Sequence, residues 1–132
     1  MIKEILKHIK EQYKDWDDSS YSYESDLIAI IKYYYYEKLG WCGCGCPGEA
    51  MREVAKYLEA RSLEYPESDK KMKEYFPPKG DDNPLVLCLA YAIDAAGFTD
   101  HGTSIFGCWL TVDGKYFLWA IKEAEKQNEL DI

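Results

Sequence analysis

No apolar run in this chain is long enough to cross a bilayer. The longest, Leu27 to Ile31 and Leu85 to Ile93, fall far short of the ~20 residues that a helical span requires. The amino terminus, Met1-Ile2-Lys3-Glu4, lacks the layout of a secretory signal. Both absences lead us to expect a cytoplasmic protein with no membrane partner. Positive charge is equally sparse. No cluster of Lys or Arg is dense enough to follow a phosphate backbone and the formal net charge is -8, which argues against duplex nucleic acid as a partner. The acidic residues are interleaved with lysines instead of massed, so a solvated surface explains them better than mimicry of DNA does. The chain has no internal repeat and neither of the glycine patterns of the P-loop and dinucleotide-binding folds.

The chain has five cysteines, an odd number, and Cys42, Cys44 and Cys46 crowd into five positions where neighbouring thiols cannot form an unstrained bridge. A disulfide framework is therefore not expected. Buried small hydrophobes, metal ligands and a reactive thiol remain as alternatives.

What is present points to one helical domain over residues 1–132. At 47% hydrophobic and 30% charged residues, the chain can bury a single core but not two. Ile2, Ile5, Leu6, Ile9, Tyr13 and Trp16 recur at helical spacing, with Lys3, Glu4, Lys7, Lys10 and Glu11 opposite. A second, central helix is expected from about Tyr23 to Leu39, where Gly40 suits a C-cap. Pro47 opens a third helix, with Cys46 at the cap position, running to about Glu64; a short charged helix follows at Ser68 to Tyr75. Asn83-Pro84 starts a fifth helix, apolar almost all round and so expected to be buried, which stops at Gly97. The turn-rich stretch from Gly97 to Gly107 leaves room for a short hairpin near residues 98–110, and Thr111 caps a last helix carrying Phe117, Ala120, Ile121 and Ala124. The expected fold is mainly α, a compact bundle of five to six helices.

Three groups of residues suit chemistry. The loop Gly40-Trp41-Cys42-Gly43-Cys44-Gly45-Cys46-Pro47-Gly48-Glu49 offers thiols that Cys108, Cys88 or His101 would complete as a zinc site, although single glycines between cysteines are tighter than the usual knuckle spacing. The same loop, entering a helix, would present backbone N–H groups of Gly43 and Gly45 to an anion, with Arg52 in the turns that follow. It would equally serve as small thiols filling tight space. Asp94, a charge on an apolar helix, needs a partner, and His101 lies one short loop away. That pair, with Ser104, reads as acid-base machinery or as a cap that holds the fold, and we name no catalytic residue. Finally, four tryptophans and twelve tyrosines exceed the needs of a small core. Trp41 and Trp109 beside glycine loops suit base stacking, and the excess also suits an interface between copies, which predicts a homo-oligomer.

The pieces Trp41-Cys42-Gly43-Cys44-Gly45, Ala90-Tyr91 with Asp94, Gly97, Thr99, His101-Gly102, Ser104 and Gly107, and Trp109-Leu110-Thr111 with Gly114 resemble small proteins of phages and prophages of Gram-positive bacteria. The resemblance spans roughly residues 25–125 and implies an accessory role against host immunity, through a host protein or a signalling nucleotide. Leu110-Thr111-x-x-Gly114 is also similar to the start of the final helix of winged-helix proteins, but no basic recognition helix precedes it. The expected function is non-enzymatic sequestration of a small anionic, nucleotide-like ligand by Trp41, Gly43, Gly45, Arg52, Asp94, His101, Ser104 and Trp109. The alternative is a protein-binding module, zinc-stabilised through Cys42, Cys44, Cys46 and Cys108.

Overall fold

The computed structural model describes residues 2–12, 26–40, 47–77 and 80–127. Six α-helices account for most of them: α1 (Ile2–Gln12), α2 (Asp26–Lys32), α3 (Pro47–Arg61), α4 (Glu67–Tyr75), α5 (Pro84–Ala95) and α6 (Val112–Lys126). One antiparallel ribbon joins α5 to α6. Its strands, β1 (Thr99–His101) and β2 (Cys108–Leu110), pair Thr99 with Leu110, Asp100 with Trp109 and His101 with Cys108. The mainly helical class and the short hairpin match the reading of the sequence.

The helix starts follow local chemistry. Asn83 is extended and its side chain accepts a hydrogen bond from Leu85 N at 2.9 Å, with Pro84 at the first helical position. Thr111 does the same for α6, accepting from Gly114 N at 3.2 Å while its own hydroxyl donates to the Gly97 carbonyl at 2.6 Å. One threonine thus fastens the start of α6 to the end of α5. Gly40 and Gly97 both take positive φ, at 68° and 81°, where the pattern placed helix ends.

Two expectations need correction. The segment read as one continuous second helix is α-helical only to Lys32. Tyr33–Lys38 then widens into a π-helical turn, closed by Leu39 N donating to Tyr34 O at 3.1 Å. The wider turn buries Tyr33, Tyr34 and Tyr35 in succession. Tyr34 meets Phe98 and Phe117 with ring centroids 5.5 and 5.3 Å away, so a tyrosine, not only aliphatic residues, sits at the centre. The second correction concerns α5, which is not buried all round. Val86, Leu89, Ala90 and Ile93 face the core, but Leu85, Leu87 and Tyr91 are exposed.

The core lies where α6 packs on α2 and α3, with α4 closing against α3. Phe117, Ala120, Ile121 and Ala124 of α6 are fully buried, as their spacing predicted. Glu59 ties three helices together, accepting from the Tyr75 hydroxyl at 2.8 Å and pairing with Lys122 at 3.2 Å. Tyr13 and Trp16, read as part of the first helical face, lie outside the described residues.

Candidate functional site

The carboxyl end of α3 and strand β2 form the two walls of a groove of about 480 Å³. That volume falls within the range of small-molecule sites, ~300–1,000 Å³. Arg61, Ser62, Glu64 and Tyr65 line it from the α3 side, Cys108 and Trp109 from the β2 side, and Lys115 of α6 lines it as well. Both aromatic residues stand out from the body: Tyr65 is 85% exposed and Trp109 54% exposed. Large rings are ordinarily the first groups a small protein hides, so two of them flanking one groove are an unusual feature.

Arg61 is the opposite case, a cation only 4% exposed. Its Nη2 donates to Asp81 Oδ1 at 2.5 Å, its guanidinium carbon lies 5.1 Å from the centre of the Tyr57 ring, and its enclosed Nε has no hydrogen-bond partner. Burial opposes the Arg61 charge, but Tyr57 and Asp81 more than offset it. The guanidinium is therefore held charged beneath a groove that also carries Lys115, in a chain whose net charge is -8. Lys115 and the Asp81-paired Arg61 are the cationic groups at the groove, and Glu64 is the acidic one.

Cys108 faces the same place. Its sulfur lies 3.8 Å from the Tyr57 hydroxyl. Burial pushes the Cys108 thiol up from its ordinary range, and burial together with Cys108 pushes the Tyr57 hydroxyl up as well. A thiol held protonated is a poor nucleophile and a poor metal ligand at neutral pH. Cys88, by contrast, is exposed on α5. Iodoacetamide at pH 7.5 is therefore expected to modify Cys88 well before Cys108 in the folded protein, with peptide-resolved mass spectrometry as the readout. Equal rates would show that the thiol is open to solvent and free to ionise.

The structure brings some of the sequence-predicted residues together and separates others. Asp94 and His101 do meet, Nε2 standing 3.6 Å from Oδ1, which is longer than a direct hydrogen bond. The His101 Nδ1 is 2.8 Å from the Gly102 carbonyl, which can only accept, so Nδ1 carries a proton. Ser104 Oγ accepts from Phe106 N at 3.2 Å. His101 and Ser104 thus shape the β1–β2 connection, and neither lines the groove. Arg52 is exposed on α3, nine residues and so about 13 Å along the helix from Arg61. Of the expected ligand residues that the structure describes, Trp109 is the one at the groove. Trp41, Gly43 and Gly45, with the metal candidates Cys42, Cys44 and Cys46, lie outside the described residues. Among the described residues no three of His, Cys, Asp and Glu gather as a metal site.

Tyr57, Arg61, Asp81 and Lys115 were missed by sequence reasoning. Arg61 and Tyr57 sit four apart on one helix, and that spacing was the available signal. Among the described residues no helix is long and apolar enough to cross a membrane. Compared with known protein families, curated proteins and solved structures, the chain matches none.

Proposed function

We propose that this protein is a non-enzymatic receptor for a small anionic ligand with a stackable ring, of the nucleotide class, bound in the groove between α3 and β2. The observation that carries the proposal is a buried, charged Arg61 beneath a groove rimmed by two exposed aromatic residues, Tyr65 and Trp109. A phosphate or carboxylate suits the cationic side, where the exposed Lys115 ammonium can meet its oxygens directly and the Asp81-paired Arg61 lies behind. A base suits the aromatic rim, where its face replaces water against Trp109 or Tyr65.

Binding without turnover fits the polar groups nearby. The Cys108 thiol is held protonated by its burial, and the Ser62 hydroxyl is committed to the Glu59 carbonyl at 2.6 Å. Neither is an activated nucleophile. Holding a signalling nucleotide away from its receptors is the use such a binder would serve in the phage setting that the sequence resembles.

Calorimetric titration with a panel of mononucleotides, cyclic nucleotides and NAD-derived compounds tests the proposal. At least one is expected to bind, and Trp109→Ala is expected to weaken it by roughly 5- to 150-fold, the equivalent of ~1–3 kcal/mol of base stacking. Lys115→Ala should weaken anionic members of the panel and leave the corresponding nucleosides unchanged. If no member binds and heating freshly purified protein releases no nucleotide, the proposal fails.

A further inference from the structure

Helix α5 presents an apolar stripe on its outer side. Pro84, Leu87, Cys88, Tyr91 and Ala95 recur at three- and four-residue steps, and all are exposed; Leu87 is 46% and Tyr91 60% exposed. Alongside the stripe runs a furrow of about 250 Å³ between α3 and α5, lined by Ala50, Glu53, Leu85, Cys88, Leu89 and Ala92. We propose that this face is the contact between two copies of the chain, with the α5 helices packed antiparallel across a two-fold axis and Leu87 and Tyr91 of each seated against the furrow of the other. The groove at Arg61 has no part in this contact.

Three features select a second copy as the occupant. The furrow falls below the ~300 Å³ at which small-molecule sites begin, yet its apolar floor suits side chains. A two-fold contact requires a surface that complements itself, and here a ridge and a hollow lie side by side on one face. Charge supplies the third argument. Two chains of net charge -8 repel wherever acidic surface meets acidic surface, but the five residues of the stripe carry no ionisable group except Cys88 and Tyr91, and Asp94 at its edge faces His101 at 3.6 Å. Glu53, the charge at the furrow, is paired with Lys56 at 3.1 Å. This neutral patch lets like-charged copies approach, whereas a strongly charged partner would find nothing to answer its charge.

Size sets the strength. A helix of 12 residues is about 18 Å long, and a contact along it buries less than the ~800 Å² per partner of a standard stable interface. The dimer is therefore concentration-dependent, with dissociation in the range of tens to hundreds of micromolar, roughly 5–6 kcal/mol of association.

Sedimentation velocity of the full chain between about 10 µM and 1 mM reads this directly. The average mass is expected to climb from 15.3 kDa toward twice that value. Over the same range alkylation of Cys88 should slow as its surface becomes covered, a readout that needs no variant. Leu87→Asp and Tyr91→Asp should each hold the protein monomeric at concentrations where the parent is mostly dimer. Because both side chains are exposed, melting temperature in dilute solution should not change. A protein that stays monomeric to 1 mM overturns the proposal, and so does a dimer that both substitutions leave intact.

Discussion

Replacing Gly114 with alanine is expected to remove at least ~3 kcal/mol of stability, a large share of the ~5–15 kcal/mol typical of a domain. A Cβ on Gly114 would stand 2.0 Å from the Phe98 carbonyl oxygen and 3.0 Å from its carbon, so the added methyl meets backbone and not a side chain that can swing away. Phe98 has little freedom to retreat. Its ring is fully buried and packs at a tilt against Phe117 with centroids 5.0 Å apart, its N–H donates to Ile93 O at 3.1 Å, and its carbonyl accepts from Thr111 N at 3.0 Å. Overpacking into a site that yields costs ~1–3 kcal/mol, and here relief requires moving α6 or the ribbon. Urea denaturation checks the magnitude, with Gly102→Ala as the control because a methyl there would have no neighbouring atom within 4 Å. The control should stay within ~0.5 kcal/mol of the parent. If both variants unfold at the same urea concentration, α6 does not rest on Phe98 as described.

Gly114 also shows where sequence reasoning stops. Thr111 was legible as a cap because capping is local, a residue type at the end of one helix serving an N–H three positions on. The need for glycine at 114 comes from the close passage of Phe98, sixteen residues earlier, and nothing in the local pattern announces it. The same division runs through the site. Asp94 and His101 were paired correctly since they flank one tight turn. Arg61 meets Asp81 and Tyr57 meets Cys108 across 20 and 51 positions, so the cationic floor of the groove stayed hidden. Helix α5 misled for a different reason. Apolar residues around a full circumference look the same whether they enter the core or remain on a surface, and periodicity cannot separate the two. The tyrosine run continued a helical pattern without a break, and the contacts that Tyr34 of the π-turn makes with Phe98 and Phe117 lie far along the chain, where a local pattern does not reach.

Asp113→Ala is expected to be the second most damaging substitution, at about 3 kcal/mol. Asp113 lies in the first turn of α6 with its side chain only 10% exposed, where the positive end of the helix favours a carboxylate. Oδ1 is 2.5 Å from His8 Nε2 and Oδ2 is 3.4 Å from Lys38. One carboxylate thus joins α1, the π-turn and α6, and Tyr116 packs edge-on against the His8 ring at 5.2 Å. Alanine would leave the partly buried Lys38 ammonium without this counter-charge and would release α1 from α6. Asparagine separates the two losses, since its amide can still meet His8 but supplies no charge to Lys38, and roughly half the effect should remain. A double-mutant cycle with His8→Ala isolates the bond between the two helices, for which a coupling above ~1 kcal/mol is expected. Hydrogen exchange should then show α1 opening ahead of α3 and α4 in Asp113→Ala, because α1 is held by this contact and by its packing on α2, whereas α3 lies at the centre of the core. Additive energies in the cycle, with unchanged protection of α1, would mean that the first helix is held by apolar packing alone.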